Sequence, residues 1–383
     1  MSKKTLWFVF LFFAFVVSSS SPVFSADSSS IDKVLKSAIS SGGAIGPSDS
    51  RVIESYISRS LEDMIDAVDF SEIASIRREV GLRSIEKKPS RYSLAFSSAI
   101  ENSIDPFMAS VERIDSQQRK TQLVINLMIL VAEAESMELA DFSISMLDHE
   151  NVAVRYWAVK ALGSEGIANQ LKVDVTGDKD LARRIIAAFE SKVNPKTTVE
   201  LLDLMVKFAD QMQTAEAVSL INRIADVRIK AYADWTVKYE SMEANLLDAL
   251  ANNIKAMTSG DGKKPGPCGK RFAQLYSYMI QRYILGYERF DIDHRKKLAT
   301  IIGDVEVKSL SKLIGNHNSI KQVISGNSER FLEKLSSEHD KLLGSEKNAG
   351  KLCYEMRFDY GTTAGKPVTA PKKLVAPVVE VTD

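Results

Sequence analysis

An all-α fold is what this sequence predicts, on three observations. From about Asp49 onward, apolar residues recur at intervals of three and four for about 200 residues, the period of helices with one buried face. Only four prolines fall between residues 40 and 260, at 47, 89, 106 and 195, each where a periodic run begins or pauses. Val/Ile/Thr alternation of period two, the mark of a half-buried strand, is missing. The 383 residues are 45% hydrophobic, enough for a sizeable core and too many for a disordered chain. The 50 basic residues balance the 50 acidic ones, which argues against a nucleic-acid partner.

Taken in order, residues 1–25 read as a secretory signal peptide. Lys3 and Lys4 precede the apolar run Leu6–Val17, four serines follow, and Val23-Phe24-Ser25 offers small residues for a cut after Ser25, with Ala26 as the alternative. Twelve residues rise only about 18 Å as a helix, short of the roughly 30 Å a bilayer core demands. The expected location is therefore periplasmic or secreted, with no integral membrane segment after cleavage. The leader carries two lysines and no acid, leaving a slightly acidic mature chain. No asparagine sits in an N-x-Ser/Thr pattern, which leans toward a bacterial product.

Residues 26–48 are Ser/Gly-rich and read as a linker with one short helical patch near Ile31–Ile39. Residues 49–257 form the helical domain. One stripe there is Val52, Ile53, Tyr56, Ile57, Leu61, Met64, Ile65 and Val68. Another, from Leu123 to Val131, is apolar nearly all round and therefore central. Further runs cover about 138–147, 152–163, 180–192, 197–210, 214–233 and 243–257. The Gly/Pro loop 258–270 is the expected boundary, 271–360 a C-terminal helical region, and 361–383, with three prolines and no aromatic, a disordered tail.

Within the helical domain, Leu147-Asp148 is followed by Val154, Arg155, Tyr156, Trp157, Ala158, Val159, Lys160, Ala161, Leu162 and Gly163. This segment, from Leu139 to Gly163, resembles a HEAT repeat, most closely the HEAT-like repeat of the phycobilisome-lyase type. Leu147-Asp148 is one residue shorter than that family's Leu-x-Asp. The resemblance implies a right-handed α-solenoid of HEAT-like helical hairpins, with the C-terminal helical region added to it. It also implies structural roles. Ala158 and Ala161 allow close helix approach, while Val154, Trp157 and Leu162 fill the groove between layers. Gly163 ends the helix in a left-handed conformation, and Asp148 caps the turn and pairs with Arg155 or a neighbouring arginine. A second copy begins at Asp178, with Arg183 in the register of Arg155 and with Ile186 and Phe189 in place of the small alanines.

Chemistry-bearing patterns are few. Asp291-Ile292-Asp293-His294 could ligate a metal but reads better as a helix cap. Asp174, Asp178 and Asp180 miss calcium-loop spacing. No nucleophile elbow, phosphate loop or His-Glu-x-x-His is present, so no catalytic residue, cofactor or metal is expected. In an oxidising compartment Cys268 and Cys353 are expected to pair; closing a loop of about 86 residues is worth on the order of 4.5 kcal/mol. Phe272, Tyr276, Met279, Tyr283, Tyr287 and Phe290 form an aromatic stripe. It is either core or a groove for peptide or glycan, with Phe272, Tyr276, Tyr283 and Tyr287 as its binding face. Arg77, Arg78, Arg83, Lys87, Lys88 and Arg91 read as a solvated basic face. The functional expectation is an exported, non-enzymatic helical scaffold that binds another protein in the cell envelope. The alternative is a carbohydrate-active or hydrolytic protein acting at residues 272–290.

Overall fold

In the computed structural model, residues 27–84, 90–173, 179–259, 264–326 and 329–377 are described. The expected signal peptide and both cleavage positions lie outside them, as do Lys87 and Lys88. The helices are α1 (Asp27–Ser40), α2 (Pro47–Asp66), α3 (Phe70–Arg83), α4 (Arg91–Glu112), α5 (Gln117–Ala134), α6 (Ala140–Ser145), α7 (Val152–Leu162), α8 (Glu165–Val173) and α9 (Lys179–Lys192). They continue as α10 (Val199–Met212), α11 (Ala215–Ala233), α12 (Met242–Thr258), α13 (Gly266–Gly286), α14 (Ile292–Val305), α15 (Ser311–Ile314), α16 (Ser319–Ser325), α17 (Phe331–Leu343) and α18 (Lys351–Met356). Strands among the described residues are limited to a two-residue hairpin, β1 (Thr362–Thr363) and β2 (Lys366–Pro367), so the protein is all-α.

Local chemistry sets where the helices begin. Asp69 accepts from the Ser71 and Glu72 amides at the start of α3, Asn151 from Ala153 at α7, and Asp291 from His294 at α14. Asp291 is thus a cap, as the helical reading of that cluster anticipates.

The helices pack in two rows. Along the chain α3, α5, α7, α10, α12, α14 and α16 each contact the next, while α9, α11, α13 and α17 do the same beside them. Sequence neighbours such as α10 and α11, or α12 and α13, join the two rows. The apolar faces between them form one continuous core from Ile31 to Leu374. The central stripe of α5, Leu123, Val124, Leu127, Met128, Leu130 and Val131, is buried throughout.

Three segment readings are corrected. Residues 27–40 are a helix rather than a linker, because Ile31, Val34 and Ala38 share one face and bury it, and Asp32 holds Arg83 at 2.8 Å. The 258–270 loop is no domain boundary, since α13 packs directly on α11 and α12 across it. Of the tail, the described residues 361–377 hold β1, β2 and a segment bonded to α13 rather than standing free. Composition measures only what a segment can bury by itself, whereas this one finds partners on α13.

The basic cluster is solvated at Arg78 and Arg91, whereas Arg77 and Arg83 pair across the fold. Arg77 bridges to Glu133 on α5 at 2.9 Å, and Arg83 also donates to Tyr56. If α1 belongs to the core, Ile31→Ala costs about 2–4 kcal/mol, read as a lower urea midpoint; a linker would leave the midpoint unchanged.

Candidate functional site: the C-terminal segment on α13

Helix α13 is apolar on most of its circumference, and neighbours on several sides bury it. Phe272 and Tyr276 are 0% exposed and Tyr283 5%. The Tyr276 hydroxyl donates to the Ile302 carbonyl at 3.2 Å. Tyr287, partly buried, meets Phe331 edge-on at 4.9 Å and carries Arg295 over its face. The expected binding face of Phe272, Tyr276, Tyr283 and Tyr287 is therefore core. Helical periodicity is the same for both uses, and the surrounding helices decide between them. Of the stripe, Tyr287 and Phe290 keep partial exposure.

The surface feature of α13 is polar instead. Gln274 and Gln281 lie seven residues apart, two turns along one face, and both hold the C-terminal segment. The Gln274 carboxamide accepts from the Lys372 amide at 2.8 Å and donates to the Lys372 carbonyl at 3.2 Å. Gln281 accepts from the Leu374 amide at 2.6 Å and donates to that same carbonyl at 3.2 Å. Further along, the Trp235 indole donates to the Val375 carbonyl at 2.7 Å and Arg289 to that of Pro377 at 3.1 Å. Pro371 and Leu374 are buried while Lys372, Lys373 and Val375 face outward. The strap thus runs in the direction of α13 and is held through its main chain.

Beneath its far end lies a buried charged cluster. Arg228 donates to Glu243 at 2.6 Å, both fully enclosed. Arg282 is sandwiched between the Trp235 and Phe290 rings and reaches Glu240 at 3.3 Å; His294 reaches the same carboxylate at 2.9 Å. Burial pushes the Glu243 carboxyl up to about 8 against the pull of Arg228. Burial also raises the Tyr232 phenol, which sits among these groups. Glu243 Oε2, Arg282 Nη1 and the Tyr232 hydroxyl have no hydrogen-bond partner among the described residues.

A second chain of polar contacts crosses from α13 to α17. Ser277 Oγ lies 2.8 Å from His339 Nε2, and His339 Nδ1 lies 2.9 Å from Asp340. Asp340 only accepts when ionised, so in the neutral ring Nδ1 carries the hydrogen and Nε2 accepts from Ser277. The order matches a hydrolytic relay. Ser277 is nevertheless enclosed in mid-helix, where the neighbouring amides are engaged within α13, and it also accepts from Gln281 at 2.7 Å. It acts as a buried tie between helices.

The remaining sequence-derived positions fall elsewhere. In the HEAT-like segment Val154, Ala158, Ala161 and Leu162 are buried as expected, and Trp157 is half-buried beneath Lys160. Arg155 donates to the carbonyls of His149 and Glu150 at 2.7 Å, tying the turn, and Asp148 pairs with Lys192 rather than an arginine. Gly163 is not left-handed, with φ −88°; a side chain there would meet the Val159 carbonyl and lie 3.6 Å from that of Leu204 on α10. Arg183 pairs with Glu216 on α11 at 3.3 Å.

Cys268 and Cys353 are buried free thiols rather than a bridge. Cys268 donates to Asn222 on α11 and Cys353 contacts the Leu343 carbonyl, so separate helices engage them. Burial raises both thiols.

The groove escaped the sequence reading, although two signals were present. Gln274 and Gln281 interrupt an apolar helix at a spacing of seven, and Pro371, Leu374 and Pro377 recur every third residue, the period of polyproline II.

No protein-family model matches the chain, and no curated protein matches it. Among solved structures, two engineered proteins from the Northeast Structural Genomics Consortium are similar in part. One is 15% identical, covering 73% of this chain and 98% of that one, with a TM-score of 0.21. The other is 9% identical, covering 80% and 97%, with a TM-score of 0.22. Among the described residues no helix is long and apolar enough to cross a membrane, and no group of three or more His, Cys, Asp or Glu could hold a metal ion.

Glu243 has a consequence for stability. Its folded pKa lies above the unfolded value, so from about pH 4.5 to about 8 the folded chain holds the proton more tightly. Stability is greatest below that window and declines as pH rises through it. In Glu243→Gln the decline is expected to flatten, with wild type and variant closest near pH 5; denaturant midpoints across pH 5–8 read this, and parallel curves would refute it.

Proposed function

We propose that this chain is an exported, non-enzymatic helical scaffold, a right-handed α-solenoid of HEAT-like hairpins, that binds another protein in the cell envelope. The observation that carries the reading is a recurring tie between successive hairpins. Arg184 to Asp141 spans 43 residues in sequence, Lys192 to Asp148 spans 44, Asn245 to Asp203 and Asn252 to Asp210 each span 42, and Arg271 to Asp226 spans 45. A near-constant separation is what one helical hairpin plus its connections supplies, and it falls in the range of about 40–47 residues for HEAT and armadillo units.

Stacked units present a long surface of helix faces and turns, the usual way such scaffolds engage a partner. One such surface is a cleft of ≈ 360 Å³ beside the HEAT-like turn, lined by Asp148, Arg155, Lys192 and Thr198 among others. Export is supported by the basic and apolar leader.

The reading is tested in the envelope fraction of the source cell by cross-linking to the tagged full chain and rebuilding the complex from two purified components. A partner of fixed stoichiometry that survives reconstitution is the expected result. A leader that stays uncleaved with the chain in the cytosol, or repeated recovery of nothing beyond the mock bait, would overturn it.

A further inference from the structure

We infer that the groove formed by Gln274 and Gln281 of α13 together with Trp235 and Arg289 is a binding site for an extended peptide segment of a partner protein, with proline three residues before an aliphatic residue, and that the chain's own residues 371–377 are its resident occupant. This rests on the protein-binding reading above and names its site and ligand class.

The recognition is that of a peptide site rather than of a core. Of the six hydrogen bonds between these four side chains and the strap, four are donated by the side chains and two by strap amides, and all six involve strap main-chain atoms. Main-chain readout supplies affinity, while pockets for selected side chains supply specificity. Pro371 and Leu374 fill the groove, whereas Val375 is 79% exposed and Lys372 and Lys373 face away. Among the described residues no main-chain hydrogen bond joins two residues of 371–377, so the strap's carbonyls and amides are open to the two glutamines and the indole. The ligand pattern is therefore a proline, an outward-facing residue that keeps its N–H, a free position, and an aliphatic residue that keeps its N–H.

A second copy of the chain is a poorer source of that segment. The strap is pinned to its own body just upstream, where Tyr360 and Val368 pair at 3.1 Å, the Tyr360 hydroxyl meets the Leu343 carbonyl at 2.7 Å, and Thr369 bonds the Ser345 carbonyl at 2.9 Å. Two residues then separate Thr369 from Lys372, which leaves no slack to reach another molecule. A tethered ligand works at an effective concentration of about millimolar, so weak intrinsic affinity suffices to hold the strap in place. A partner segment with tighter contacts, or with a second contact elsewhere on the scaffold, displaces it.

The test uses the full chain and a fluorescent peptide of sequence VTAPKKLVAP. The release variant Pro371→Ala/Leu374→Ala is expected to bind the peptide at least ten-fold tighter than wild type by polarisation. Adding Gln274→Leu and Gln281→Leu should abolish that binding, as should proline at the Leu374 register of the peptide, which removes a read amide. A release variant that melts cooperatively near the wild-type temperature yet binds no tighter overturns the inference. Should that variant not fold, hydrogen exchange on wild type decides. Saturating unlabelled peptide must speed exchange at Lys372 and Leu374, and unchanged protection sinks the idea. A wild-type dimer that the peptide splits into monomers would reassign the groove to a second copy. Peptide binding with no envelope partner would instead sink the scaffold reading, and a reconstituted partner that ignores the groove variants would sink the groove alone.

Discussion

Helix α13 is the element on which the rest depends, because it is surrounded. It packs against α11, α12, α14 and α17, and the strap lies along its remaining edge. A helix in that position cannot hydrate its polar side chains, and each one left unpaired would cost about 1–3 kcal/mol. Its polar residues therefore recruit specific neighbours. Ser277 takes His339 on α17, Arg282 takes Glu240 before α12, and Gln274 and Gln281 take the strap. The apolar residues of α13 bring these elements close, and the polar ones fix their register.

The charged cluster beneath the strap is not chiefly a source of stability. Desolvating Arg228 and Glu243 offsets most of their attraction, and apolar replacements of a buried pair are often no worse. What the cluster does is anchor the α11–α12 connection. That connection holds Trp235 and Tyr239 in left-handed backbone, with φ 53° and 56°, at a cost on the order of 1–3 kcal/mol each. Trp235 is held there by stacking on Arg282 below and by its indole bond to the strap above. The buried charges and the C-terminal segment are thereby coupled through one side chain.

The helices were legible because their signal is local. Apolar spacing marks α2, α5, α7 and α10 to α14, and the cap at Asp291 follows from a side chain that bonds an amide three residues on, whereas the cap of α7 is Asn151 and not the Asp148 expected for that turn. What was illegible depends on partners distant in sequence. α1 is rich in serine, and three buried residues suffice only because α2 is there to receive them. The aromatic stripe has one periodicity whether it faces solvent or protein. Gly163 was read as a left-handed stop, whereas its missing side chain makes room for α10. The strap was the largest omission: its composition cannot bury a core of its own, and the amides that satisfy it sit about a hundred residues upstream.

The geometry of the two glutamines explains why a helix can read an extended chain at all. The two glutamines are seven residues apart, about 10.5 Å along an α-helix, whereas the amides they read are two residues apart, at most about 7 Å of extended chain, so the paired positions do not stay level. Flexible carboxamides absorb the mismatch by converging on one carbonyl, that of Lys372, while each accepts a different amide. Alternate amides are read, those of Lys372 and Leu374, and the one between them is not bonded by either glutamine. Proline is consequently compatible with the groove at 371, where it stands, and incompatible at 372 and 374, where an N–H is required. The site thus selects by backbone donors first and by the aliphatic side chain at 374 second, which is a rule a partner's segment can satisfy with little sequence in common with this chain's own tail.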